Sequence, residues 1–485
     1  MLAHHWRSAL EFLRASGGDD DELADRTRLA LRDAGERALA LDAFPAAARF
    51  YEQALELWPT DDPEWPLLLL QYGRALVARG EGFDVLTAAR DGLLAAGDVD
   101  RAAEAEAMLG ILVRFGRRDE AFLHYDRAAE LAAGRPASAS IAFVLWTLSR
   151  VNMLAGEDVK AIELGRRALA MGEELGLDEV RAGALNSIGI ARFHSGDPEG
   201  VRDLERAIEI SEAARLSQAS RDYANLAGVM TDLGDLSRAG ELFEKSVEIS
   251  ERFGHVSAIR FQRGNRTGHL FAIGEWDAAL EHSERFLAEI EAGSPHYLEA
   301  AVRVLRGLIR LARDDVAGAL ADADAALVRA REVRDPQLLH PVLGDAARIY
   351  FDAGRQSQAE EVVAELAAVG PASHETFVTF AIALGELGRT DDVLAFLDDA
   401  ALQTPWEEAV RAYVASDFVR AADLLEEIGD RSSGAYVRLR AAEQFAADGR
   451  LAEAEVQLAG ALSFYRSVSA TFFIRRAEAL PAESA

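Results

Sequence analysis

Residues 216–254 read LSQASRDYANLAGVMTDLGDLSRAGELFEKSVEISERFG. In the first half, Tyr223, Leu226, Ala227, Met230 and Leu233 recur at three- and four-residue steps. In the second half, Leu236, Ala239, Leu242, Phe243, Ser246, Val247 and Ile249 keep the same rhythm. Such spacing gathers the apolar side chains on one stripe of a helix, so the stretch predicts two amphipathic helices. Gly234 falls where the first helix ends, in a left-handed position that costs a glycine least. Asp235 follows and can accept from the open N–H groups of the next helix. Small residues at Ala227, Gly228 and Ala239 let the two backbones approach. One such hairpin cannot bury both faces and needs a copy on each side.

The copies are present. Turns like Gly234, each followed five residues later by a small or compact residue, recur along the chain. They pair Asp42 with Ala47, Gly80 with Val85, Gly116 with Ala121, Gly156 with Ala161, and Gly196 with Val201. Beyond Gly234 come Gly274 with Ala279, Arg313 with Gly318, Gly354 with Ala359, Gly388 with Val393, Ser416 with Ala421, and Gly449 with Ala454. For the Arg313 unit, a one-residue shift to Gly307 and Ala319 fits better. A second small residue lies twelve positions after most turns, for example Ala54, Ser246 and Ala400, and another seven before, for example Gly35, Ser149 and Ala227. Successive turns are roughly 30–40 residues apart, and a recurring period of this size marks a solenoid. The fold expected is all-α: a superhelical solenoid of about twelve antiparallel helix pairs. Residues 1–20 are expected to form a capping helix and 21–370 the longer repeats, each of about 40 residues. Shorter repeats and a cap are expected over 371–485.

Composition agrees. At 485 residues the chain exceeds a single core of about 250–300 residues. Half of its residues are hydrophobic, Pro is sparse, and Ala and Leu abound, which favours helix. The absence of cysteine excludes disulfides, Cys-ligated metals and thiol catalysis, and fits a cytoplasmic setting. A net charge of −30 repels nucleic acid, and no apolar run is long enough for a membrane span. The basic residues are arginine except Lys160 and Lys245.

LAG with GDLSRAGELFEKSVEI, LSR with GEDVKAIELGRRALAM, and SIG with the Gly196 turn resemble tetratricopeptide (TPR) repeats. Most units exceed the usual TPR period of about 34 residues. In this they resemble the longer repeats of bacterial signal-transduction ATPases and kinesin-light-chain-like adaptors. AHHWRSALEFLRASGG with RALALDAFPAAARFYEQALELWP, and ALSFYRSVSATFFIRRAEAL near the other end, resemble the helical region of bacterial adenylate/guanylate cyclase–ATPase proteins. That resemblance implies the regulatory, sensor or scaffold part of such a system, without its catalytic modules. The ligand-sensing part of a transcription activator and a standalone peptide-binding adaptor are the alternatives.

Catalytic chemistry finds no footing. Neither lysine follows a glycine, so there is no P-loop. Adjacent His4 and His5 point about 100° apart on a helix and make a poor metal pair. The acidic run GGDDDEL, from Gly17 to Leu23, lacks the glycine and terminal glutamate of a calcium loop. His194, His255, His269 and His282 are scattered over different units. No enzyme activity, cofactor or metal is expected. The expected partner is a protein or extended peptide on the concave face, lined by the first (A) helix of each pair. Asn225 and Asn265 lie nine residues before their turns, with Asn186 near the same place one unit earlier. Amides offer both donor and acceptor to a peptide backbone, or else they bridge neighbouring A helices. Arg221, Arg303 and Arg348 project to the same side and suit a carboxylate-rich segment, or else form surface ion pairs.

Overall fold

A computed structural model describes residues 2–18, 21–114, 117–254, 256–369, 376–397 and 404–480. Gly116, His255 and Ala400, as well as Asp19 and Asp20 of the acidic run, lie outside them. Among the described residues there are 26 helices and no strand. In chain order they are α1 (Leu2–Ala15), α2 (Asp21–Leu39) with α3 (Phe44–Leu55), α4 (Trp65–Val77) with α5 (Phe83–Ala95), and α6 (Val99–Val113) with α7 (Arg118–Ala132). Then come α8 (Ala139–Leu154) with α9 (Asp158–Leu175), α10 (Asp178–His194) with α11 (Gly200–Ala213), and α12 (Ala219–Asp232) with α13 (Leu236–Phe253). These are followed by α14 (Val256–Ala272) with α15 (Trp276–Glu291), α16 (Glu299–Ala312) with α17 (Val316–Val333), and α18 (Pro336–Asp352) with α19 (Gln356–Val369). The series closes with α20 (Thr376–Gly385) and α21 (Thr390–Leu397), α22 (Pro405–Val414) and α23 (Phe418–Ile428), α24 (Arg431–Ala447) and α25 (Leu451–Ser467), and α26 (Thr471–Glu478). Twelve pairs thus lie between two single helices. The even-numbered member of each pair is the A helix. A helices also pack on A helices of the next pair, as α6 does on α8, α8 on α10, and α16 on α18.

The turns follow from one device. Each pair whose turn is described is joined through a residue of positive φ, for example 52° at Asp42, 78° at Gly234 and 86° at Gly274. An aspartate often follows it and caps the B helix. The carboxylate of Asp235 accepts from the Arg238 N–H at 3.0 Å, and that of Asp315 from the Gly318 N–H at 2.9 Å. The small residues expected at the crossings are buried, with Ala47, Ala161, Ala239, Ala279 and Ala421 each at 0 % exposure. Three positions lie one residue from the first register, the Arg313 unit as its shifted alignment to Ala319 anticipates. Asp314, not Arg313, carries the positive φ, so Ala319 rather than Gly318 is buried at its crossing. In α11 it is Gly200, not Val201, that meets Gly189: a Cβ on Gly200 would sit 2.2 Å from the Gly189 carbonyl oxygen. In α5 it is Leu86, not Val85, that lies over Gly73.

The chain divides into two compact units. Unit 1 comprises Met1–Asn225 and Lys245–Ile259; unit 2 comprises Leu226–Glu244 and Arg260–Ala485. In unit 1 the turn of the first pair reaches the start of the sixth A helix, where the Asp42 carboxylate accepts from the Ser217 N–H at 2.6 Å. Unit 2 repeats that five-pair step three times. Near the Gly234 turn, Trp406 at the start of α22 donates its indole N–H to the Thr231 carbonyl at 2.7 Å. At the Gly274 turn, the Trp276 indole donates to Ser432 Oγ on α24 at 2.9 Å, and Trp276 stacks on Phe271 and meets Phe464 edge-on. At the next turn, Asp314 accepts from Thr471 and Arg475 of α26, and Arg313 donates to the Val468 carbonyl at 3.0 Å. Each unit therefore curves until the turn of one pair touches the A helix five places on.

Candidate functional site

In unit 1, Asn186 on α10 is 2 % exposed. Its Nδ2 donates to Asp222 Oδ1 at 2.9 Å, and its Oδ1 accepts from Asn225 Nδ2 at 2.6 Å. Asp222 also accepts from Gln218 Nε2 at 2.8 Å and Ser211 Oγ at 2.5 Å. Burial pushes the Asp222 carboxyl up to about 6, against these donors, which favour its charged form. The amides thus connect one A helix to the next, and Asn186 has both of its polar atoms engaged within the fold. Asn225 is half-buried and has its amide N–H engaged. Asn265 lies in unit 2, is half-buried, and makes no side-chain hydrogen bond with a described residue.

Arg221 is half-buried on the same helix as Asp222. Its side chain has no hydrogen bond or ion pair with a described residue; burial lowers its pKa, while the charges of Asp222 and Glu179 pull the other way. The sequence reading passes over two neighbours on the A-helix side, Arg114 and Arg150. Their positional signal is a diagonal. Arg114 stands two places before Gly116, Arg150 six before Gly156, Asn186 ten before Gly196, and Arg221 thirteen before Gly234. Each step moves about one helical turn along the next A helix. A search for residues at one fixed distance from their turns passes over such a stripe.

In unit 2, Arg303 and Arg348 are engaged within the fold. Arg303 donates to Glu299 Oε1 at 2.9 Å. Its neighbour Arg306 grips Asp322 through two bonds, at 2.8 and 2.5 Å, and Arg310 adds a third at 2.8 Å. The Arg348 guanidinium lies 4.0 Å from the ring centre of Tyr436. Around it, Arg476 bonds to Asp352 at 2.9 Å and Glu443 at 2.7 Å, and Tyr436 donates to Glu386 at 3.0 Å. Burial raises the carboxyls of Asp345, to about 7, and Asp352, to about 6, with Arg348 opposing both shifts. Arg303 and Arg348 thus point into networks of this chain's own acids and rings. Arg221 belongs to unit 1, and Arg303 and Arg348 belong to unit 2. Among the described residues no group of three or more His, Asp or Glu could hold a metal ion, and no helix is long and apolar enough to cross a membrane.

The class that this fold defines is the TPR-like helical-repeat protein. A Rap protein crystallised with competence and sporulation factor superposes with a TM-score of 0.51 at 14% identity, covering 70% of this chain and 97% of that one. The apo quorum sensor NprR from B. thuringiensis aligns with a TM-score of 0.43 at 12% identity, over 76% and 99% of the two chains. Cut9, from the APC/C hetero-tetramer Cut9–Hcn1, gives 0.41 at 14% identity, over 93% and 96%. At these identities the likeness concerns the fold alone. No family model matches the sequence, and no curated protein matches it either.

Proposed function

We propose that this protein is a non-catalytic scaffold that holds a protein segment or extended peptide across its A helices, on the concave side of the stack. The observation that carries this reading is Arg221: a half-buried guanidinium without an ion pair among the described residues, one turn from the half-buried Asn225. Arg221 and Asn225 are the contact residues assigned in unit 1, and Asn265 the one in unit 2. Asn186, Arg303 and Arg348 act as positioning residues, because their polar groups or faces already serve the fold. The Rap protein, solved with competence and sporulation factor, supports the idea that this fold can accommodate such a partner. The finer reading is a regulatory helical region in a cyclase- or ATPase-type signalling system, and it rests on the sequence resemblances at residues 3–18, 37–59 and 461–480.

Selection from a displayed peptide library on the intact protein, followed by titration of the recovered peptides, tests the scaffold reading. Hydrogen bonds to charged groups contribute about 1.5–3 kcal/mol. Arg221→Ala with Asn225→Ala is therefore expected to weaken binding about tenfold or more while helix content by circular dichroism is unchanged. Peptides that bind the double variant as tightly as wild type would refute the assignment.

A further inference from the structure

Buried arginines in this protein are ordinarily answered by acids. Arg74 donates to Glu104 at 2.6 Å, Arg90 to Glu106 at 3.0 Å, and Arg306 to Asp322. Arg150 departs from that pattern. It is half-buried on α8, and its side chain makes no hydrogen bond or ion pair with any described residue. The groups within electrostatic reach are two further guanidiniums, Arg114 and Arg221, and the Tyr125 phenol. Burial and those two like charges push the Arg150 pKa well below its ordinary value. A guanidinium does not shed its proton in proteins, so the repulsion persists until an anion answers it.

Tyr125 supplies an independent observation. It belongs to the B helix α7, but its ring lies against Gly110 of α6, where an added Cβ would come within 2.5 Å of the ring. The absence of a side chain at Gly110 lets the ring cross toward the A-helix side. Tyr125 is 4 % exposed, its hydroxyl has no partner among the described residues, and the charges nearest it are those of Arg114 and Arg150. A buried hydroxyl without a hydrogen bond is costly, and this one is available to donate. The carboxylates that act on Arg221 are Asp222, held by three donors, and Glu179, which forms no ion pair with it.

We infer that Arg150, Arg221 and the Tyr125 hydroxyl form an oxyanion site on the A-helix side of unit 1, which takes a carboxylate of an acidic peptide. The inference rests on the scaffold reading above and deepens it by naming the chemistry recognised. Two guanidiniums and one hydroxyl match the lone pairs of a carboxylate, and equally those of a phosphate. The protein's overall negative charge repels acidic ligands at long range, so recognition depends on this local reversal of sign.

Calorimetric titration of the full chain tests it with three probes: an end-capped tetraglutamate peptide, its tetraglutamine counterpart, and inorganic phosphate. The glutamate peptide is expected to bind at least tenfold more tightly than the glutamine peptide, and Arg150→Gln or Arg221→Gln to abolish that preference. Without any anion, Arg150→Met, which keeps the aliphatic stem, is expected to raise the denaturation midpoint. Equal binding of the two peptides, or an Arg150→Gln variant that still prefers the glutamate peptide, overturns the oxyanion site and leaves the scaffold reading standing. Phosphate binding that Arg150→Gln abolishes, with neither peptide binding, supports the oxyanion site with phosphate as its source and refutes the peptide reading. No binding of any probe, or a midpoint lowered by Arg150→Met, overturns the inference outright.

Discussion

The two units use one architecture and fill its inner side differently. In unit 2, three successive turns meet A helices five places on, and the side chains between them pair off: Arg306 with Asp322, Arg348 with Tyr436, Arg476 with Asp352 and Glu443. In unit 1 the five-pair step is represented by the Asp42–Ser217 contact, while Arg150 and Arg221 have no acid bonded to them. The units also differ in helix length. Helices α20 to α23 are 10, 8, 10 and 11 residues long, whereas α8 to α10 are 16, 18 and 17. The Arg348–Tyr436 contact runs from α18 to α24, across this run of short helices. Curvature, as much as residue type, thus decides whether an inward arginine serves the fold or a ligand.

The strongest way to break the contrast is to cut the closure of unit 2. Trp276→Ala removes a 4 % exposed indole together with its bond to Ser432. It is expected to cost about 3–5 kcal/mol in chemical denaturation. Hydrogen exchange should rise in both α14–α15 and α24–α25; a rise in α14–α15 alone would mean that the closure carries little of the stability. Next, Ala239→Trp overpacks a fully buried crossing and is expected to lower stability by about 1–3 kcal/mol. An unchanged midpoint would be incompatible with the register described.

The pH dependence sharpens the comparison further. Asp345 has a folded pKa of about 7, above the ordinary carboxylate value of about 3.9. Between these values the folded state binds more protons than the unfolded one. Stability is therefore expected to fall, by about a few kcal/mol, as pH rises from about 4 through 7. Asp345→Asn should raise stability at pH 7 and flatten the profile; an unaltered slope would assign the effect to other groups. The smallest effect is that of Asn265, set against Asn186. Asn186→Ala leaves Asp222 short of a donor and is expected to cost about 1–3 kcal/mol. Asn265→Ala should stay within about 0.5 kcal/mol, because Asn265 has no hydrogen bond among the described residues to lose. Thermal melts of the two variants side by side check this.

The fold is largely legible in the sequence because its signals are local. A glycine or aspartate in the left-handed region, a capping acid and an alanine at the crossing all fall within a few residues of each turn. The one-residue differences arise where the device is altered. At Asp314 an aspartate replaces the glycine, and at Gly200 the B helix brings its small residue one position early. The inner side is less legible, because Arg348 and Tyr436 lie on A helices three pairs apart and meet only through curvature. Nothing in a single repeat encodes how many repeats make one revolution. The stripe from Arg114 to Arg221 escapes notice for a related reason: it advances along the helices as it crosses them.

The five-place step bears on how such a chain can change length. In an open stack, a repeat can be duplicated or lost and its neighbours simply close ranks. Here Trp276 fits Ser432, and Asp314 fits Arg475, only while the intervening number of hairpins is unchanged. Inserting one hairpin between α17 and α22 would present each turn to the wrong A helix at all three stations of unit 2 at once. The repeat count within a revolution is therefore a fixed integer of this architecture, and gain or loss of hairpins is confined to places outside the closed turn.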